Sequence, residues 1–280
     1  MVPAPWALGG TEMTTNDIRK HLLSIATWVN PERTVDTVKS GDPDRPVSRA
    51  GVGWMATIDD LETAHKDGCE LFITHEPTFN DHLDPADGPC RRTEPGRAKA
   101  AFLGRTGMVV LRCHDAWDGW PGIGIRDSWA RGLGLGKAIG ENQDAQSERG
   151  WHAVYEIPPV RLREFARTVA RRVRPLGQDG VEVLGDPERI VSRPALGVGC
   201  GGPDQDMVAL GADVLIVCYD GASYWKDRER FVELGAAVLM VEHGTSEMWG
   251  MESLARYLRE TFPQVTFQDY RGHPRAWHVS

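Results

Sequence analysis

The feature that most constrains this chain is a regular alternation of short apolar segments with longer amphipathic segments. Apolar runs such as Leu71–Ile73, Val214–Cys218 and Ala237–Val241 have the length and the β-branched content of buried strands. Residues 162–173, by contrast, repeat apolar side chains at the spacing of a helix that buries one face. This alternation predicts an α/β fold with two lobes, in which mostly parallel strands are flanked by helices.

Shifts in composition predict where the lobes begin and end. Residues 1–13 are expected to form a flexible N-terminus, because proline and glycine are frequent there. The polar stretch 136–150 is the best candidate for a hinge. We therefore expect a first α/β lobe at residues 14–140 and a second at residues 141–280.

Charge and hydropathy argue against two classes of partner. The chain has 32 Lys and Arg residues against 40 Asp and Glu residues, a net charge of −8, which disfavours binding to nucleic acid. It lacks an apolar run long enough to span a membrane and a basic, apolar leader, so we expect a cytoplasmic protein. The 5 cysteines lack CxxC spacing, which predicts small buried side chains rather than a disulfide framework.

Histidine and acidic residues follow three predicted strands directly, in the segments ITHEP, LRCHDAWD and LMVEHGTSE. In α/β sheets, side chains at the carboxyl ends of strands converge on one crevice, which is where sites form. The candidates for one cluster are His75, Glu76, His114, Asp115, Asp118, Glu242, His243 and Glu247.

Imidazole and carboxylate together are typical ligands of Zn, Mn or Fe, and less typical of Mg or Ca. Several carboxylates can also bridge two cations, which then activate a bound water. Taken singly, each signal also fits a hydrogen-bonded surface histidine or an acidic helix cap. Only the three segments together favour a metal site.

Two local geometries remain open within these segments. His243 and Glu247 share a face if both lie on one helix, but Gly244 and the residues after it favour His243 at the strand end and Glu247 in the first helical turn. Pro77 restricts Glu76 to extended backbone. His75 and Glu76 are therefore expected to diverge and to serve different ions, unless the loop bends.

Other catalytic signatures are weak. The sequence has no P-loop and no GxSxG motif, and the glycines at 199–202 lack the spacing of a dinucleotide loop. These glycines could hold an anion at a helix N-terminus, but a plain tight turn is the simpler interpretation.

Four segments resemble, in order, the motifs of the Nif-three-like family (NGG-one-interacting factor three), often labelled GTP cyclohydrolase I type 2 in bacteria. Residues 68–77, GCELFITHEP, are similar to the family's gaDLiitHHP, and residues 113–118, CHDAWD, begin a match to HTnlDaapgGvnd. Residues 193–202 resemble the family's glycine turn, and residues 242–247, EHGTSE, are similar to GHyatE. The resemblance extends from about residue 14 to the end of the chain.

The resemblance implies a dinuclear metal centre between two α/β lobes. Two divalent ions (Fe, Mn or Zn, with Mg as an alternative) would be held by His75, Glu76, Asp118, His243 and Glu247. Glu242 or His114 would act beside these ligands as an acid–base or orienting group.

The resemblance also implies an activity and an assembly. It implies a cyclohydrolase-like hydrolase that acts on a small polar or nucleotide substrate, within a ring-shaped homohexamer. The alternative is a non-catalytic metal-binding or protein-interaction scaffold.

One departure from the family affects the metal. Glu76 stands where the family has the second histidine of THHP. Three carboxylates then leave two divalent cations with a net charge of about +1 before any hydroxide binds. This shell favours harder ions such as Mn, Fe or Mg and makes a weaker Lewis acid.

Overall fold

The structure, a computed structural model, describes residues 12–141, 151–197, 199–201 and 205–272. The predicted hinge therefore lies largely outside the described residues, as do most of the N-terminal residues expected to be flexible. Met13 is buried, and its carbonyl oxygen accepts a hydrogen bond from the amide of Val47, so the fold includes this residue.

The described chain contains strands and helices that alternate over much of its length, as predicted, with some consecutive strands between them. Its strands are β1 (Val38–Ser40), β2 (Arg49–Gly53), β3 (Leu71–Thr74), β4 (Val109–Arg112), β5 (Ala138–Glu141), β6 (Ala153–Tyr155), β7 (Val160–Arg161), β8 (Glu182–Leu184), β9 (Ile190–Val191), β10 (Pro194–Leu196), β11 (Val214–Cys218), β12 (Ala237–Val241) and β13 (Thr266–Tyr270). Its α-helices are α1 (Thr15–Ile25), α2 (Ile58–Lys66), α3 (Glu94–Thr106), α4 (Asp115–Asp118), α5 (Ile125–Leu133), α6 (Leu162–Val173), α7 (Gln205–Ala209), α8 (Glu229–Glu233) and α9 (His243–Thr261).

The chain divides into two compact units. One comprises Met1–His114 and Ala255–Tyr270, and the other comprises Asp115–Leu254 and Arg271–Ser280. This division differs from the expected boundary near residue 140. Residues 115–140 group with the second unit, and residues 255–270 return to the first because β13 pairs with β2.

The first unit contains a five-stranded sheet in the order β1-β4-β3-β2-β13. All of its pairs are parallel except that of β1 with β4. Every residue of β3 and β4 is buried, as expected for central strands of a parallel sheet. Because β3 and β4 run in the same direction, their carboxyl ends lie side by side at one edge.

The second unit contains a six-stranded sheet in the order β5-β6-β10-β11-β12-β8. Its three strands β10, β11 and β12 are parallel, but β5, β6 and β8 pair antiparallel with their neighbours. The α/β class is confirmed, whereas the mostly parallel pairing holds for the first sheet and not for the second. Strands β7 and β9 form a separate antiparallel pair.

Helix α6 shows why the amphipathic pattern was informative. Its buried residues include Leu162, Phe165, Val169 and Val173, which are apolar residues of the repeat predicted over residues 162–173. They belong to an apolar cluster with the inner residues of β10, β11 and β12. Burial of this face supplies most of the stability of such a helix.

None of the helices in the described part of the chain combines the length and the apolar character that crossing a bilayer requires.

Two glycines give a matched test of how tightly the first sheet is packed. A Cβ on Gly51 of β2 would lie 2.8 Å from Cδ2 of Phe72 and 2.9 Å from Cε2 of Tyr270, whereas a Cβ on Gly104 of α3 would meet nothing within 4 Å. We expect Gly51→Ala to lower the free energy of unfolding by about 1–3 kcal/mol through overpacking. Gly104→Ala should raise it by about 0.5–1 kcal/mol, because alanine favours a helix. Urea denaturation checks both, and equal effects of the two substitutions would contradict the packing.

Candidate metal centre

The ends of β3 and β4 bring three metal-ligand side chains of the first unit together. Thr74 pairs with Arg112 in the parallel register, so His75 and Glu76 emerge beside His114. One ligand atom from each of these three residues lies within 4.8 Å of the other two. The rings of His75 and His114 stack with their centroids 4.6 Å apart. A single divalent cation fits within reach of all three donors.

The His75 side chain is oriented for metal binding. It is fully buried, and its Nδ1 lies 3.0 Å from the carbonyl oxygen of Cys113. A carbonyl oxygen only accepts hydrogen bonds, so Nδ1 carries the proton and Nε2 carries the lone pair that can bind a cation. This arrangement is typical of histidines that bind metals in proteins.

The loop after β3 bends, which corrects the expected divergence of His75 and Glu76. The hydroxyl of Thr74 donates a hydrogen bond to the carbonyl oxygen of Glu76 at 3.0 Å. The buried Arg112 donates through Nε to the carbonyl oxygen of His75 at 2.8 Å and through Nη1 to that of His82. These bonds hold both side chains on one side of the loop.

Arg112 also places a positive charge beside the carboxylate that replaces the family's histidine. Its Nη2 lies 3.5 Å from Oε2 of Glu76, and the side chains are 0% and 12% exposed. An ion pair so far out of water is screened weakly. The charge count made from the ligands alone therefore omits one nearby positive charge.

His114 lies closer to the ligands than the sequence indicated. Its backbone amide donates to Oδ1 of the buried Asp36 at 2.7 Å, which fixes the start of the segment after β4. The resemblance gave His114 an acid–base or orienting role, and the geometry places its ring at ligand distance from His75 and Glu76.

In the second unit, His243 and Glu247 lie on the same face of α9. The helix begins at His243, directly after Glu242, whose carbonyl oxygen accepts a hydrogen bond from the amide of Ser246. The favoured alternative, with His243 at the strand end, is wrong because the helical hydrogen bonds begin one turn earlier than expected. Nε2 of His243 lies 3.1 Å from Oε1 of Glu247.

Asp220, a residue that the sequence analysis did not select, orients His243. Its Oδ2 lies 2.7 Å from Nδ1 of His243, which leaves Nε2 directed at Glu247. The hydrogen bond from His243 holds the pKa of Asp220 below its usual value. Asp220 comes two residues after β11, so it is one more acid at a strand end, which is the signal that could have identified it.

Asp118 belongs to the same group in the second unit. It lies in α4, it is buried, and a carboxylate oxygen of Asp118 lies within 4.8 Å of a carboxylate oxygen of Glu247. Helix α4 is fixed against α9 because the indole Nε1 of Trp117 donates to the carbonyl oxygen of Gly250 at 2.8 Å. Two buried carboxylates at this distance repel each other unless a cation or a proton lies between them.

The glycine turn before α7 packs directly on this group. A Cβ on Gly199 would lie 2.4 Å from both Oε1 of Glu247 and Nε2 of His243, and the residue has a φ of +44°. The backbone can approach the two donor atoms only because no side chain is present. The turn thus forms one wall of a cradle for a cation, and the helix α7 that follows it has only 5 residues.

Two of the eight strand-end candidates are absent from the converging groups of the described residues. These are Asp115 and Glu242. The amide of Glu242 donates to Oε1 of Gln178 at 3.0 Å, and this residue serves as the entry to α9. Cys218 is also absent from these groups of described residues, and burial raises the pKa of its thiol to about 12.

The donor chemistry fits divalent metal ions. Each unit combines an imidazole whose Nδ1 is bound to an oxygen with carboxylates at ligand distance. Nitrogen and carboxylate oxygen donors together suit Zn, Mn or Fe.

Comparisons with known proteins identify the family of this chain. A family model described as Duf34/NIF3 (NGG1p interacting factor 3) matches residues 13–272. The chain is 26% identical over 221 residues to a Streptomyces coelicolor protein named GTP cyclohydrolase 1 type 2 homolog, which covers 71% of this chain and 75% of the relative.

Solved structures share the fold at low sequence identity. A Bacillus cereus protein related to NIF3 superposes with a TM-score of 0.78 at 13% identity, over 97% of this chain and 100% of that chain. The Staphylococcus aureus hypothetical protein SA1388 gives a TM-score of 0.77 at 15% identity, over 96% and 100%. At such identities the likeness shows the fold alone.

The first test of this site concerns Gly199. Gly199→Ala should displace the side chains of His243 and Glu247 and remove most of the bound metal. Gly235→Ala is the matched control, since Gly235 also has a positive φ (+88°) but nothing within 4 Å of its added Cβ. Both variants should lose about 1–2 kcal/mol of stability to the left-handed backbone. Elemental analysis of the purified proteins measures the metal content. Full metal occupancy in the Gly199→Ala protein would show that the close approach of Gly199 to His243 and Glu247 is not needed for metal binding.

The second test concerns Asp220. Asp220→Ala should weaken metal binding by about 10–100-fold, because His243 loses the partner that orients its ring. The exposed Asp179 provides the control Asp179→Ala, which should bind metal like the unchanged protein. Competition with a coloured chelator measures the affinities. Equal affinity in both variants would show that Asp220 does not position His243.

Proposed function

Because the chain belongs to the Duf34/NIF3 (NGG1p interacting factor 3) family, we propose that it is a metal-dependent hydrolase with two divalent cations at one centre. The proposed ligands are His75, Glu76, Asp118, His243 and Glu247. The observation that carries the proposal is that each unit presents a histidine, with its Nδ1 bound to an oxygen, beside a carboxylate at ligand distance.

The residues of each unit support a distinct part of this centre. His75 and Glu76 would bind on the side of the first unit, and Arg112 keeps the Glu76 carboxylate in place. His243 and Glu247 would bind on the side of the second unit, where Asp220 fixes the imidazole. Cations held in this way supply a water of lowered pKa and polarise the substrate.

His114 is the best placed group to move a proton. Its ring stacks on His75, and it is half-buried rather than enclosed. An imidazole titrates near neutral pH, so it can accept a proton from a nucleophile and return it to a leaving group. Glu242, the other residue proposed for this role, is supported less, because it is outside the converging groups of the described residues.

The ligand chemistry favours Mn or Fe, with Zn and Mg as alternatives. Three carboxylates among five ligands make the shell harder than one with an additional imidazole. Arg112 offsets part of the charge of Glu76, which moderates this preference without reversing it.

The name of the Streptomyces coelicolor relative directs the choice of substrate. GTP and other nucleotides are the first compounds to test, followed by small phosphoesters. We further propose a cytoplasmic homohexamer, as the family resemblance implies, and light scattering on the purified protein would measure the assembly.

The decisive experiment removes one donor from each unit. His75→Ala and Glu247→Ala should each lower metal content and reduce turnover by at least about 100-fold, because the metal-activated water is lost. Glu62→Ala, at an exposed glutamate of α2, is the control for the loss of a helical carboxylate.

Nucleotides and phosphoesters would be screened with the metal-loaded proteins, with and without a chelator. Turnover that survives both substitutions would refute the hydrolase proposal. Intact metal binding without turnover on any compound would favour the non-catalytic scaffold instead.

A further inference from the structure

A cavity lies in the second unit, and none of its lining residues belongs to the converging groups of candidate metal ligands. It has a volume of about 610 Å³ and is lined by residues of α5, β5 and β6 and the turns between them. A cavity of this size holds an organic molecule rather than a single ion.

The least exposed polar side chain that lines the cavity is Tyr155, which carries a hydroxyl. The side chain is 2% exposed, and the hydroxyl has no hydrogen-bond partner among the described residues. A buried polar group without a partner destabilises the folded protein, so such a group is retained where a ligand can bond to it. Burial also raises the pKa of Tyr155, so its hydroxyl stays protonated and can donate.

The two acidic residues that line the cavity, Asp127 and Glu141, are both paired with an arginine. Arg126 is buried and binds both nearby acids, with Nη2 3.1 Å from Oδ1 of Asp127 and 3.0 Å from Oε1 of Glu141. Both carboxylates are therefore neutralised in part by the guanidinium of Arg126.

The rim carries two further cations. Arg131 donates to the carbonyl oxygen of Gly122 and to the hydroxyl of Ser128, which are both neutral groups. Lys137 forms no ion pair within the part of the chain that the structure describes. Two cations at the mouth, above a hydroxyl donor, make a field that attracts an anion.

We propose that this cavity binds a small phosphorylated organic molecule, with the phosphate between Arg131, Lys137 and the hydroxyl of Tyr155 and its body against the apolar part of the lining. A phosphate dianion matches two rim cations better than a single carboxylate does. The methyl groups of Ala130 and Ala138 and the tyrosine ring provide an apolar wall for the body of the ligand.

The proposal is tested by calorimetry at low ionic strength with three probes: phenyl phosphate, inorganic phosphate and benzoate. Phenyl phosphate should bind more tightly than inorganic phosphate, because its ring meets the apolar wall, and more tightly than benzoate, because of its charge. Absence of phenyl phosphate binding, or equal binding of benzoate, would overturn the proposal.

Two variants locate the binding. Lys137→Ala should weaken phenyl phosphate binding about tenfold, whereas Lys66→Ala, at an exposed lysine of the first unit, should leave it unchanged. Tyr155→Phe should weaken binding several-fold and at the same time raise the melting temperature of the protein without ligand. If the hydroxyl had only a structural role, its removal would not both weaken ligand binding and raise the melting temperature.

Binding at the metal centre is separated by Glu247→Ala. The proposed cavity predicts that this variant still binds phenyl phosphate with the same affinity. Loss of binding in Glu247→Ala together with normal binding in Lys137→Ala and Tyr155→Phe would assign the phosphate to the metal centre and refute the cavity site. The cavity proposal does not depend on hydrolase activity, so either proposal can be refuted without affecting the other.

Discussion

The hydrogen bonds of the buried Arg112 guanidinium are the interaction on which the first group of proposed metal ligands depends. A charge with no exposure to water must be bonded on most of its donors, and Arg112 bonds to the backbone of His75 and His82 and to the side chain of Glu76. It thereby joins the end of β4 to the loop that follows β3. The same residue places its positive charge 3.5 Å from the carboxylate of Glu76.

The second group depends on the backbone rather than on a buried charge. Helix α9 begins early enough to place His243 and Glu247 one turn apart, and the turn at Gly199 closes over both donor atoms. The helix continues into the first unit, so the segment that carries two of the proposed ligands also connects the units in sequence. Any change that moves the start of α9 would alter metal binding.

The two groups use the same means of orienting a histidine, but with different oxygens. A neutral backbone carbonyl binds Nδ1 of His75, whereas the carboxylate of Asp220 binds Nδ1 of His243. A carboxylate partner makes an imidazole a stronger donor. Asp220 therefore makes the imidazole of His243 a stronger donor than that of His75.

Several features of the fold and the site could be predicted because they depend on local sequence. The buried face of α6, the central strands β3, β11 and β12, and the positions of His75 and Glu247 after strands all follow from apolar spacing. The sequence did not indicate the antiparallel β5, β6 and β8, since strand direction is decided by pairing with distant segments. It also did not reveal Arg112 or Asp220 as positioning residues, nor the helical start at His243. By itself, the sequence determined which chemical groups are available at the strand ends. Only the tertiary structure decided which of them meet, because hydrogen bonds such as that between Asp220 and His243 join residues on different elements.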